Sequence, residues 1–164
     1  MFFIESILSG IWATLIMDLF AKILSKRKLI YPFITPEELG RWFVYQLKGK
    51  IIHKDISTTP PVRNEKIWYY VSHYFIGIFL AGLYLNLASQ FKALNENTWV
   101  ALIFGISTVI LPWFWLLPGV GMGILAKRSS MRMQILKTNL INHTNFGIGL
   151  FLWIFFFHKF FLNF

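Results

Sequence analysis

Residues 67–91 read IWYYVSHYFIGIFLAGLYLNLASQF, a run without a formal charge. A helix that crosses a bilayer needs about 20 mostly apolar residues, and this run supplies them. Three more stretches have the same character. Phe2 to Leu24 is mostly apolar, with Glu5, Asp18 and Lys22 as its charged residues, while Asn97 to Ala126 and Thr138 to His158 carry no formal charge. None of the runs alternates with the period of two expected of an outer-membrane barrel strand. A lone strand would leave its backbone groups unpaired in lipid, so helix is the expectation for all of them.

Composition agrees. The chain has 164 residues, of which 56% are hydrophobic, 19% aromatic and 14% charged. A soluble domain carries about 25% charged residues. Mean hydropathy is +0.57. These values point to an all-α integral membrane protein, a four-transmembrane-helix bundle in a single membrane domain over 1–164. The helices are expected at about 2–24, 67–90, 98–125 and 138–160, with loops at 25–66 and 127–137. There is no cysteine, which excludes disulfides, thiolate zinc sites, cysteine nucleophiles and cysteine-ligated iron–sulfur clusters. The start, Met1-Phe2-Phe3-Ile4-Glu5, lacks the basic n-region of a secretory signal, so the first segment is expected to stay as an anchor.

Net charge is +9. Loop chemistry accounts for it better than nucleic acid does, and no nucleic-acid partner is expected. Nine of the Lys and Arg residues lie between Ser25 and Lys66, and Lys127, Arg128, Arg132 and Lys137 form the second group. Only Lys92 and Lys159 fall on the other side, with Lys22 inside the first segment. This bias puts both basic loops in the cytoplasm and both termini outside a bacterial inner (plasma) membrane, as a multi-pass protein. The basic loops would meet anionic lipid head groups, and the spans the lipid bilayer.

The first loop has its own structure. Thr35-Pro36-Glu37-Glu38 reads as a capping box, with Pro36 at the first helical position and Gly49 as a stop. Leu39, Trp42, Phe43, Gln46 and Leu47 fall on one face, predicting a short amphipathic helix. It lies either on the inner membrane surface or against the ends of the bundle. Ser57-Thr58-Thr59-Pro60-Pro61 is expected to be non-helical. The third segment, roughly 30 residues, would run about 45 Å as one straight helix, too long for a bilayer core. Pro112 is expected to kink it and Pro118-Gly119-Val120-Gly121-Met122-Gly123 to break it. The tail from Phe155 to Phe161 reads as a lipid-facing anchor.

Polar residues inside these segments mark a candidate site. Measured from the basic side, Asp18, His73 and His143 each lie about six residues inside a segment, roughly 9 Å of rise. Intramembrane ionisable groups are costly and call for partners. Asn139, Asn142, His143 and Gly147 share one helical face, which should point into the bundle. The ligand-binding candidates are therefore Asp18, His73, Asn139 and His143, with Pro118, Gly119 and Gly121 at the helix break. Arg41 and His53 are the candidates in the cytoplasmic loop. His53 either covers the inner mouth of the site or is simply exposed. His158 is read as an interfacial polar residue with no further role. An Asp18–Lys22 ion pair one helical turn apart is the structural alternative for Asp18.

Two imidazoles and a carboxylate are a legitimate metal set, yet they come from three helices with no supporting spacing. No metal and no cofactor is assigned, haem included. The glycines at 119, 121 and 123 lack the Lys-Ser/Thr of a phosphate loop, and no hydrolase motif is present. Three functions remain. The first is a non-enzymatic protein that binds a small polar or lipid-like ligand, or a partner, in an inner-leaflet polar cavity. The second is a proton-coupled transporter or permease, which four helices could build only as a homo-oligomer. The third is a membrane enzyme acting on a lipid or quinone, with Asp18 or His143 as general base. A polar core that merely holds the helices together is the structural alternative to all three.

Several of these residues occur in a recognisable order: Met17-Asp18, Gly40-Arg41-Trp42, His53, His73-Tyr74 with Gly77, Pro112, Pro118-Gly119-Val120-Gly121, and His143. Together they resemble a family of bacterial inner-membrane proteins of similar length, catalogued only as a domain of unknown function. The resemblance spans nearly the whole chain. It implies a membrane core and brings no activity, substrate or cofactor with it. The sequence departs from the pattern at Ser129-Ser130-Met131, where a proline would be expected.

Overall fold

The structure is a computed structural model that describes residues 1–91 and 97–162. Among the described residues it is entirely helical. Helix α1 spans Phe2–Lys26, α2 Pro36–Leu47, α3 Glu65–Gln90 and α4 Trp99–Ser107. Helix α5 spans Arg132–Phe156, and a short α6 covers His158–Leu162. Three stretches are long and apolar enough to cross a membrane: Phe2–Lys26, Glu65–Gln90 and Trp99–Gly119. Helix α5 has 25 residues and is not one of them. Asn139, Asn142, His143 and Asn145 lie near its middle and lower its hydropathy. It also starts earlier than the expected 138, taking in part of the second basic loop. Lys92, one of the two basic residues expected on the far side, lies outside the described residues.

Capping explains the start of α2. The Thr35 hydroxyl accepts from the Glu38 N–H at 3.2 Å, and the Glu38 carboxylate accepts from the Thr35 N–H at 2.8 Å. The helix ends at Leu47, and Gly49 follows with φ +82°, a conformation that suits glycine. The third segment departs furthest from a regular helix. Pro112 has no N–H for the carbonyl of Thr108, and the chain widens into a π-helical turn over Pro112–Leu116. One more turn, Leu117–Gly119, follows before Gly121 and Gly123 adopt φ +101° and +74°. The expected break is therefore present, and the helix before it is regular to Ser107 and irregular from Thr108 to Gly119.

Helix α1 lies between α3 and α5, α4 packs on the far side of α5, and α2 packs on α3. The core is apolar, with Ala13, Ala81, Tyr84 and Leu150 all nearly inaccessible. Small residues set the close crossings. A methyl group placed on Gly149 would sit 2.7 Å from the Ala13 Cα, and one on Gly147 would sit 2.6 Å from the Leu102 carbonyl. The outer surface is lined by large apolar side chains such as Phe75, Phe79, Trp99, Ile103 and Phe156. From the tail, Phe155, Phe156, Phe157 and Phe160 are exposed, while Phe161 packs on Trp153.

Candidate functional site

Helices α1, α3 and α5 leave a cavity of about 440 Å³, lined also by α2, the chain before it and the π-helical turn. Asp18, His73, Asn139 and His143 all line it. Met17, Ile76, Leu111, Trp115 and Phe146 make most of the remaining wall apolar. The volume lies in the range of small-molecule sites, about 300–1,000 Å³.

Two polar clusters border this space, one from α1 and α3 and one from α5. On one wall the Asp18 carboxylate accepts from His73 Nε2 at 3.0 Å and from the Tyr74 hydroxyl at 3.3 Å. Tyr69, one turn before His73, stacks on the imidazole with ring centroids 5.2 Å apart. The bond to Asp18 orients the ring and leaves Nδ1 as its second polar atom. Asp18 is thus held by α3, not by the Lys22 pair that spacing alone allowed. On the other wall the Thr108 hydroxyl donates to the Gly105 carbonyl at 2.6 Å. With that proton committed, Nδ1 of His143 donates to the Thr108 oxygen at 2.7 Å, and Nε2 is the free acceptor of the ring. Asn139 is 5% exposed, and its Nδ2 has no hydrogen-bond partner. Asn142 Oδ1 is likewise buried without a partner. A buried amide left unpaired costs about 1–3 kcal/mol, which a ligand or water with the right groups would recover. Among the described residues, no three side chains of metal-binding type come together.

The loop candidates do different work. Arg41 forks onto Glu65, with Nε to Oε1 at 2.7 Å and Nη2 to Oε2 at 3.2 Å. Its third nitrogen donates to the Ile56 and Thr59 carbonyls. Bonding to Glu65 raises the pKa of the guanidinium further, so Arg41 is a fixed cation that gathers the loop over the start of α3. The segment 53–56 is laid along the broken helix by its backbone. The His53 N–H donates to the Gly119 carbonyl at 2.8 Å, and the Ile56 N–H to the Val120 carbonyl at 3.1 Å. Trp42 lies over Gly119 and donates from Nε1 to the Ile51 carbonyl at 3.1 Å. Gly121 meets the Lys54 carbonyl so closely that a side chain has no room. The glycines of the break therefore receive the loop. Pro118, Gly119, Gly121, Arg41 and His53 are not part of the cavity wall.

His53 is 2% exposed, which overturns the exposed reading. Its Nδ1 lies 3.0 Å from the Thr59 hydroxyl, and its Nε2 is buried without a partner. Burial pushes its pKa below the usual histidine value, and Lys50 adds to the shift.

A further cluster went unread in the sequence. Glu5 is 5% exposed and accepts from His158 Nδ1 at 2.6 Å and from Trp153 Nε1 at 3.3 Å. His158 therefore fastens α6 to the start of α1, a role its interfacial position did not reveal. Thr108, the partner of His143, was missed for the same reason: the contact joins residues far apart in the chain. Tyr69 had a visible signal, since it lies four residues before His73 on one helical face.

A family model described as "Protein of unknown function" matches residues 7–155. The chain belongs to DUF2938. The DUF2938 match takes in every cavity and loop residue named above and leaves out Glu5 and His158. It agrees with the resemblance read from Asp18 through His143. No curated protein and no solved structure matches the chain.

Proposed function

We propose that this DUF2938 protein is a non-enzymatic membrane protein that holds a small polar or lipid-like ligand in the cavity between α1, α3 and α5. One observation carries the reading: an apolar cavity of about 440 Å³ has the Asp18–His73 pair on one wall and Asn139, with an unpartnered amide, on the other. A polar core that only held helices together would pair its groups and close around them. Here Asn139 Nδ2 and Asn142 Oδ1 stay buried without a partner in residues that line a space. In this reading α5 is the fourth span, because its polar half faces the cavity rather than lipid. The Lys and Arg bias supports a multi-pass bacterial inner-membrane protein with both termini outside and the basic loops in the cytoplasm. Helix α2 then acts as an amphipathic helix at the inner surface, packed against the start of α3.

Proton-coupled transport is a second reading, favoured by one feature. The Asp18–His73 pair joins two titratable groups at the cavity wall. It requires a homo-oligomer to complete a path.

Native mass spectrometry with elemental analysis, on protein extracted with its own lipids, tests the binding reading. Wild type should retain a small molecule or lipid that Asp18→Asn and His143→Gln lose. An empty set of equally well-folded proteins would overturn it.

A further inference from the structure

Beside the cavity lies a second groove of about 410 Å³, bordered by Lys28, Tyr31, Gln134 and Lys137. The two spaces adjoin, since Ser25, Ile30, Pro32 and Thr138 border both. The chain between α1 and α2 runs along this border. One hydrogen bond pins it to α5, from the Tyr31 N–H to the Thr138 hydroxyl at 2.9 Å.

Two basic side chains, Lys28 and Lys137, border this groove. The chain has seven acidic residues, and none lies between Asp18 and Glu37 or beyond Glu96. Six of the seven are described, and each is engaged elsewhere. Glu5 and Asp18 hold histidines, Glu37 and Glu65 hold Lys66 and Arg41, and Glu38 and Asp55 hold local caps. Lys28 and Lys137 thus face one groove with no carboxylate to balance them among the described residues. A positive-inside loop explains why lysines occur on this side. It does not explain why two of them, one in the turn after α1 and one in α5, border a groove that adjoins an apolar cavity.

We infer that the cavity ligand is an anionic amphiphile of the membrane, with a phosphate-bearing head between Lys28, Lys137 and Gln134 and its apolar part reaching past Ile30 and Pro32 into the cavity. This rests on the cavity reading above and names the ligand class. The two lysines neutralise the head, and Gln134 and Tyr31 supply hydrogen-bonding groups beside it. The mostly apolar cavity takes the chain, as the hydrophobic effect requires.

The test uses the full chain purified in a neutral detergent, with binding read by native mass spectrometry and thermal unfolding. The probes are short-chain phosphatidylglycerol, a neutral monoacylglycerol of equal chain length, and inorganic phosphate. Phosphatidylglycerol should bind best. The double variant Lys28→Gln/Lys137→Gln should weaken it by about tenfold or more. Lys50→Gln/Lys54→Gln, with the same loss of charge in the first loop, should leave it unchanged. Equal weakening by both pairs would mean diffuse surface attraction and would overturn the site. Phosphate alone matching the lipid would reduce it to a head-group site and overturn the amphiphile. Should monoacylglycerol bind as well as phosphatidylglycerol, with no response to either pair, the charge inference falls while the cavity reading survives. Retention of neither lipid would sink both.

Discussion

Gly149→Ala tests the packing that shapes the cavity, because its sign is decided by one distance. In an isolated helix, alanine is favoured over glycine by about 0.8–1.0 kcal/mol. Here the new methyl would lie 2.7 Å from the Ala13 Cα, 3.1 Å from its carbonyl oxygen and 3.1 Å from the Ile16 Cβ. Ordinary contact starts at 3.4 Å, so α1 and α5 must part by about 0.7 Å. The nearest obstacle is backbone and cannot rotate away. Overpacking of this kind costs about 1–3 kcal/mol, with a backbone obstacle toward the upper end. Subtracting the gain in propensity leaves a net loss of about 1–2 kcal/mol. Gly82→Ala is the control. Its methyl would meet only the Ser6 side chain, at 3.2 and 3.3 Å, and a few tenths of an ångström of movement relieves it. It should be neutral or slightly stabilising. Unfolding in mixed micelles of rising denaturing-detergent fraction, followed by far-ultraviolet circular dichroism, measures both. If Gly149→Ala is as stable as Gly82→Ala, the close α1–α5 crossing is wrong, and so is the cavity wall built on it.

Three further outcomes follow from the site and the loop. A double-mutant cycle on Asp18→Asn and His73→Gln should give a coupling of about 1–2 kcal/mol, since interhelical polar bonds in membranes average about 0.6 kcal/mol and charged ones exceed that; a coupling near zero would break the pair. His53 is favoured neutral in the folded loop, so the unfolded state binds more protons below about pH 6.5, and loop docking should weaken as pH falls through that value. Amide exchange of residues 51–57 at pH 7.5 and 5.5, corrected for intrinsic rates, reads this, and a His53→Gln protein with the same pH slope would refute it. Arg41→Lys keeps the charge and loses the fork onto Glu65 and the loop carbonyls, so proteolytic cleavage within 51–61 should speed up about tenfold or more; unchanged cleavage would mean that the loop is held without Arg41.

Much of the candidate site was legible because a polar residue is conspicuous in an apolar run. Asp18, His73, Asn139 and His143 stood out as polar groups in apolar runs, and all four reach one cavity. Local chemistry was legible too, as in the capping box that starts α2 and the glycine-rich break after Pro118. Partners were harder. Asp18 had Lys22 one turn away, and the fold gave it His73 and Tyr74 instead. His143 found Thr108, and Glu5 found His158 and Trp153.

The sequence by itself determined that this protein is built of apolar helices, where they break, and at which depth polar groups enter them. These follow from short-range rules: backbone groups in lipid must bond within their own helix, proline removes a donor, and charge avoids hydrocarbon. Only the tertiary structure decided which polar groups meet, that residues 53–56 lie along the broken helix while α2 and the chain before it line the cavity, and that two spaces adjoin. Those depend on helix order and rotation, which small residues such as Gly149 and Ala13 set through sub-ångström packing between segments distant in the chain.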